Sequence, residues 1–318
     1  MAIELPKLNF SSQIKEVAPS PNLIVGGESC YPFYTFEGHL PHLPRIAMEV
    51  WDSTPVDWAP AALAPFADVI DDPAAWAHAC VSRYGAEMIC LQLASTDPNG
   101  QNRSAEKATA VVKSVADILS VPLIVWGTTN QEKNTEVLRQ VCEAIPNKKL
   151  IIGPAESESY KKIAATALGY GHIVAASSPI DVNLAKQLNI LIGNLGVPGE
   201  QLVIDPTVSS IGYGLEYCYS VMERIRIAAL AQDDEKLQSP LICNVARETW
   251  KAKESKLPDD PLLGNAERRG IMLEALSAST MLLAGGNIII MRHPEAVKLV
   301  RNLIAELGTE PEKDTPSS

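Results

Sequence analysis

Residues 123–126 read Leu-Ile-Val-Trp and run into Gly127-Thr128-Thr129, and residues 150–152 read Leu-Ile-Ile and run into Gly153-Pro154. Both are short and continuously apolar, the pattern of a strand buried on both faces of a parallel sheet. Working outward, runs of the same kind recur at 46–50, 88–93, 172–175, 202–204, 241–243 and 287–291. Helix signals lie between them. Asp72 before Pro73 opens one helix and Gly85 follows it, Ser157 is placed to cap another that ends at Gly169, and Pro294 opens a last one with Gly308 where a C-terminal cap belongs. Eight strand-then-helix units predict an α/β chain folded as a (β/α)8 TIM barrel over residues 43–308. A doubly wound sheet would use fewer strands and a glycine-rich first turn.

Residues 1–42 fall outside the repeat. Gly26, Gly27, the string YPFYTFEG and His39-x-x-His42 predict a hairpin-like N-terminal extension laid against one barrel end. The two histidines read better as turn residues than as metal ligands, because Pro41 and Pro44 interrupt any helix that would align them. Residues 309–318, rich in charge and proline, read as a disordered tail. With 38 acidic and 27 basic residues the net charge is −11, which argues against nucleic acid or an anionic membrane as partner. No run approaches the roughly 20 apolar residues of a membrane span, and MAIELPKLNF lacks the order of a secretory signal, so a cytoplasmic location is expected. Six cysteines without a C-x-x-C pair predict no iron–sulfur cluster in this chain, and Cys80, Cys90, Cys142 and Cys243, inside apolar stretches, read as buried free thiols.

In a barrel the residues just past each strand share one mouth, and function concentrates there. Those ends carry Trp51-Asp52, Ser95-Thr96-Asp97, Thr128, Glu156, Ser177-Ser178, Asp205-Pro206-Thr207, Asn244 and Arg292-His293. No H-E-x-x-H, G-x-S-x-G or phosphate-cradling loop accompanies them. Thr128, Ser177, Ser178, Asp205, Asn244 and Arg292 are the candidate ligand contacts. Each has a structural alternative: Asp205 and Asn244 as turn or cap residues, the hydroxyls as partners of strand-end carbonyls. Arg292 needs an anion or a carbonyl wherever it points. Asp97 reads first as a turn residue, and Trp51 and Trp250 first as packing. Long connections after the first and seventh strands, Asp52 to Asp72 and Asn244 to about Gly264, mark where such a barrel elaborates function.

Gly26-Gly27-Glu28 with Pro32-Phe33-Tyr34-Thr35-Phe36-Glu37-Gly38, Asp205-Pro206, the segment Asn244 to Lys253 with Glu248 and Trp250, and Gly285-Gly286 ahead of Arg292-His293-Pro294-Glu295-Ala296 together resemble one family. It is that of the small subunit of the corrinoid iron–sulfur protein, related to the delta subunit of acetyl-CoA decarbonylase/synthase, and the likeness covers nearly the whole chain. The resemblance implies a barrel paired as a heterodimer with a large corrinoid iron–sulfur subunit and acting in the acetyl-CoA (Wood–Ljungdahl) pathway. It implies a methyl-carrier role rather than an enzymatic one: a corrinoid (cobamide) shared with the large subunit takes a methyl group from methyltetrahydrofolate through a separate methyltransferase and passes it to acetyl-CoA synthase. Short polar side chains suit the amide arms of a corrin rim, and the cofactor itself supplies the reactive centre. No D-x-H-x-x-G motif for a histidine ligand occurs. The alternative is a pterin-dependent methyltransferase barrel, for which Asp205 and Asn244 are suitable. Gly127 and Gly153 stand where that family has Asp and Asn, which puts the pterin contacts in doubt. A purely structural barrel that docks a partner is a third reading.

Overall fold

The computed structural model describes residue 8 and residues 10–308. The predicted disordered tail lies outside the described residues. Two short strands, β1 (Val17–Ser20) and β2 (Leu23–Val25), pair antiparallel across the Pro21-Asn22 turn. Eight parallel strands follow: β3 (Arg45–Trp51), β4 (Met88–Gln92), β5 (Leu123–Trp126), β6 (Leu150–Ala155), β7 (Ile173–Ser177), β8 (Leu202–Asp205), β9 (Leu241–Asn244) and β10 (Gly286–Met291). They close in sequence order, with β10 pairing back onto β3 through Ile289↔Ile46 and Met291↔Met48. The chain is a (β/α)8 TIM barrel, as the apolar runs predict.

Residue parity along these strands builds two packed layers. Ala47, Met88, Cys90, Ile124, Ile151, Ile173, Val203, Ile242 and Ile288 form the barrel interior. Their strand neighbours, such as Met48, Ile89, Val125 and Ile152, pack outward against the helices. Each such aliphatic side chain withdrawn from water contributes roughly 1.5–3 kcal/mol. Val17, Leu23 and Val25 join the interior set, so the hairpin plugs the N-terminal end of the barrel.

The outer ring comprises α1 (Pro60–Leu63), α2 (Pro73–Tyr84), α3 (Ala105–Ile118), α4 (Gln131–Ala144), α5 (Tyr160–Gly169), α6 (Val182–Gly193), α7 (Leu215–Ala231), α8 (Val245–Lys251), α9 (Ala266–Leu283) and α10 (Pro294–Leu307). The Asp72 carboxylate accepts from the Ala74 and Ala75 amides to start α2, and Gly85 at φ +63° ends it in the left-handed region that glycine enters without strain. Ser157 does not cap α5. That helix starts three residues later, after Ser159 turns its hydroxyl onto the Glu156 amide and carbonyl. Nor are the two long connections structureless. The first holds α1, and the second opens directly into α8.

A buried polar lock secures the plugged end. Arg226, on α7, donates to the Gly285 carbonyl at 2.7 Å, to the Ser239 carbonyl at 3.3 Å and to the Asn287 side-chain oxygen, and lies 3.5 Å from Glu28. Asn287 in turn donates to Glu28 at 3.0 Å and accepts from the Leu241 amide at 2.9 Å. His39 and His42 are turn residues here: the His39 backbone pairs with Ser29, and the His42 ring meets Glu16 at 2.8 Å.

Candidate functional site

Continuing the interior parity one step past the apolar layers brings six polar side chains to the inner face of the C-terminal end: Glu49 after Ala47, Gln92 after Cys90, Ser177 after Ala175, Asp205 after Val203, Asn244 after Ile242 and Arg292 after Ile290. All are buried. Four belong to the predicted contacts, and Glu49 and Gln92 are additional.

Arg292 finds its anion inside the barrel. Its Nε and Nη2 both lie 2.7 Å from Glu49 Oε2, and its guanidinium carbon stands 3.5 Å above the Trp58 ring, close enough for cation–π attraction. The strand end behind it is anchored by Glu274 of α9, whose carboxylate accepts from the Arg292 amide at 2.5 Å, the His293 amide at 3.0 Å and Trp250 Nε1 at 3.0 Å. Burial pushes Glu274 up to about 6 and pulls His293 down to about 4. The His293 Nδ1 accepts from the Glu295 amide and starts α10. Trp250 is therefore a packing residue.

Asp205 sits at the top of β8. Burial pushes its carboxyl up to about 6, against the lowering effect of the Ser177 hydroxyl and the Thr207 amide, which donates at 2.9 Å. Thr207 adopts φ +56°, a left-handed conformation that costs a non-glycine residue roughly 1–2 kcal/mol. Its hydroxyl donates to the Ser178 carbonyl, and the Ser178 amide donates to the Asp205 carbonyl at 3.1 Å, so the ends of β7 and β8 are stitched together. The sequence places Thr207 at the mouth but not among the candidate contacts. Ser177, Ser178, Thr207 and Glu156 line a cleft of about 770 Å³ that opens over β6, β7 and β8 and extends to Tyr160, Lys161 and Gln187 on the flanking helices. Burial also raises Glu156, partly offset by the Arg247 charge.

The predicted contacts divide accordingly. Ser177 and Ser178 line the cleft. Asp205 stands beside it, bonded to Thr207. Asn244 caps α8, its side-chain oxygen accepting from the Arg247 amide at 3.2 Å, while its amide nitrogen has no partner. Thr128 is held by Asn134 of α4, whose oxygen accepts from the Thr128 amide at 2.7 Å and whose nitrogen donates to the Thr128 carbonyl at 2.5 Å. Gly127 makes room for that carboxamide, because a Cβ there would lie 2.3 Å from it. Asp52 accepts from the Ser95 amide at 2.8 Å and ties β3 to the β4 connection, and Asp97 makes a turn with Asn99.

Several buried polar atoms at this end have no hydrogen-bond partner: Glu49 Oε1, Gln92 Oε1, Asn244 Nδ2, Ser178 Oγ and the indole nitrogens of Trp51 and Trp58. An unsatisfied buried polar group costs roughly 1–3 kcal/mol, and these six gather around one mouth, while others, among them Glu28 Oε2, Arg45 Nε and His172 Nε2, lie elsewhere. The rim above them carries apolar tips on three separate connections, Val56 at 86% exposure, Tyr213 at 79% and Leu262 at 95%. All six cysteines are buried free thiols, and burial raises the Cys30 thiol to about 11 and the Cys142 thiol to about 12. Among the described residues, no group of three or more His, Cys, Asp or Glu side chains is arranged to hold a metal ion, and no helix is long and apolar enough to cross a membrane.

Fold and site together define a (β/α)8 barrel with a polar, incompletely satisfied mouth. Two solved barrels illustrate the likeness: the dihydropteroate synthase of Coxiella burnetii in complex with pteroic acid (TM-score 0.58, 12% identity, 86% of this chain and 96% of that one) and that of Xanthomonas albilineans with 4-aminobenzoic acid (0.58, 13%, 85% and 94%). At that identity the likeness concerns the fold alone. The chain belongs to the CO dehydrogenase/acetyl-CoA synthase delta subunit family, which it matches across residues 19–314. It is 36% identical over 291 residues to an acetyl-CoA decarbonylase/synthase complex subunit delta of Archaeoglobus fulgidus, covering 89% of this chain and 64% of that protein. A subunit delta of Methanopyrus kandleri is 35% identical, with 87% and 68% covered. The chain thus spans about two thirds of the length of these relatives.

Proposed function

We propose that this chain is a methyl-carrier subunit of an acetyl-CoA pathway complex, whose barrel mouth forms one wall of a corrinoid site completed by a large corrinoid iron–sulfur subunit. The observation that carries the reading is the set of buried, unpartnered polar atoms beneath a rim of exposed apolar tips. The donor set fits a corrin rim. Its acetamide and propionamide arms each offer a carbonyl and an N–H pair, which match the donors Asn244 Nδ2 and Ser178 Oγ and the acceptors Gln92 Oε1 and Glu49 Oε1. When bound, the corrinoid supplies the centre that accepts a methyl group derived from methyltetrahydrofolate and gives it up toward acetyl-CoA synthase.

The protein's own share is to bind, orient and exclude water. The Ser178 and Asn244 side chains orient rim amides, and the β7–β8 stitch through Thr207 keeps the cleft wall rigid. Val56, Tyr213 and Leu262 offer anchors to a subunit closing over the mouth, and withdrawing them from water favours closure. Glu49 holds the Arg292 charge inside the wall, so the mouth presents hydrogen-bonding groups rather than a free cation to a low-charge macrocycle.

The test is reconstitution with the large subunit and free cobalamin, followed by ultraviolet–visible spectroscopy. A stoichiometric corrinoid spectrum from the pair, absent from this chain alone and reduced at least tenfold in retention when Asn244 and Ser178 are both replaced by alanine, is expected. Equal retention by the large subunit without this chain overturns the shared site. Methylcobalamin formed by this chain alone from methyltetrahydrofolate and cob(I)alamin, well above a protein-free control, overturns the carrier reading in favour of a pterin-dependent methyltransferase.

A further inference from the structure

Beyond its first turn, the outer face of α9 carries less charge than those of α3, α4, α5, α7 and α10. From Gly270 to Met291 the sequence has a single charged residue, Glu274, and that carboxylate is fully buried and already accepts three hydrogen bonds. The face that remains outside carries Met272 at 41% exposure, Leu276 at 60% and Leu283 at 47%. Ser279 and Thr280 bond back to the helix carbonyls of Ala275 and Leu276. Over this stretch of about 20 Å, at 1.5 Å per residue, the helix presents no charge to water. By contrast α3, α4 and α10, also on the barrel surface, have exposed Lys or Glu along their length, whereas α6 has a single charged residue, Lys186, paired with Asp234. Charge depletion with Met and Leu enrichment is the composition of a protein interface core rather than of a solvated helix. At its upper end the stripe enters a groove of about 360 Å³ between Leu263, Arg268, Met272, Leu273 and Leu276. This lies on the flank of the barrel, on the outer wall of α9 rather than in the mouth.

The geometry points to this stripe as a docking surface for a helix of another subunit, an apolar helix that seats one large side chain in the groove and sets a carboxylate over Arg268. Charge decides between that occupant and a second copy of this chain. Arg268 is exposed and has no acidic partner among the described residues. In a two-fold pairing of α9 stripes centred on Leu276, the position facing Arg268 falls on Ala284, and no available carboxylate lies between Gly270 and Met291. A copy would leave the cation uncompensated against an apolar surface, which a partner with an acid there avoids. Identification of the docking subunit as the large corrinoid subunit rests on the function proposed above.

The experiment measures binding of the full chain to purified large subunit by titration calorimetry or biolayer interferometry. Leu276→Glu is expected to weaken binding at least 30-fold and Arg268→Glu about 5- to 20-fold, with far-ultraviolet circular dichroism and melting unchanged because both side chains are exposed. Ile118→Glu, at an exposed isoleucine ending α3, is the control and is expected to bind as wild type. Oxidation of Met272 by dilute peroxide is a second readout, expected to slow at least threefold in the complex. Wild-type affinity in Leu276→Glu together with unprotected Met272 overturns the α9 surface while leaving the shared corrinoid site standing. Absence of any binding by wild type overturns the partner reading itself. A dimer of this chain alone that Leu276→Glu dissociates overturns the choice of occupant.

Discussion

The two ends of the barrel solve opposite problems with similar residues. At the N-terminal end Arg226, Glu28 and Asn287 are buried together and bonded to one another and to three backbone groups, with Glu28 Oε2 left unpartnered and the β1–β2 hairpin packed beneath them. At the C-terminal end Arg292 and Glu49 form an equally buried pair, yet Gln92 Oε1, Ser178 Oγ, Asn244 Nδ2 and Glu49 Oε1 remain unmatched. Buried polarity bonded mostly to itself locks a fold; buried polarity left open at an accessible mouth is available to a ligand. The contrast separates stability from function within one architecture.

The comparison breaks most decisively at the sealed end. Arg226→Ala removes the cation that compensates Glu28 and leaves two carbonyls unpaired, so a loss of about 3–5 kcal/mol is expected in urea unfolding followed by circular dichroism. A loss below 1 kcal/mol would mean that the lock is ornamental. Next in size is a pH effect at the open end. Asp205 has its folded pKa raised to about 6 by burial, from an ordinary value near 3.8. The folded state therefore binds its proton more tightly than the unfolded state does. The associated stability is present below the unfolded value and lost as pH rises through about 6, by roughly 2–3 kcal/mol. Wild-type stability measured relative to Asp205→Asn should fall by that amount between about pH 3.5 and 7. A pH-independent difference would place Asp205 in a wetter site than the one described.

Smaller effects sharpen the distinction. Asn244→Ala removes the α8 cap and is expected to cost about 1 kcal/mol in thermal unfolding. Ser178→Ala deletes a buried hydroxyl that bonds nothing, so stability should stay within about 0.5 kcal/mol of wild type or rise slightly. A clear loss in Ser178→Ala would show the hydroxyl to be structural and the mouth less open than it is drawn.

The strands and helix starts were legible because both depend on local rules: continuous apolar runs, Asp72-Pro73, His293-Pro294. The mouth was only partly legible. A census of residues beyond strand ends finds Ser177, Ser178, Asp205, Asn244 and Arg292, but the barrel selects by parity, and parity extends back into the strands. Glu49 lies inside the run Ile46–Val50, where a lone carboxylate among apolar neighbours was the available signal for a buried ion pair. Glu274, the single charge in 22 residues, carried a similar one. Thr128 shows the reverse case, since a residue at the right place in the sequence is occupied by Asn134 from the next helix, a contact that no spacing rule reveals. Thr207 was placed at the mouth by its position after β8, but its left-handed backbone and its bonds to Asp205 and Ser178 depend on two strands meeting and carry no local sequence signal.

The Glu28–Asn287 contact joins residues 259 positions apart. During synthesis at about 5–20 residues per second, Glu28 emerges roughly 15–50 s before the asparagine that bonds it exists. Throughout that interval the hairpin has no finished barrel to plug, and its Val17, Leu23 and Val25 are apolar surface without a destination. The lowest layer of the interior is thus completed by a hairpin made before the barrel meeting the barrel's last strand. Premature release of the nascent chain before β10 would leave an open cylinder with exposed β9 and β3 edges, the form of this molecule most prone to pair with its own kind.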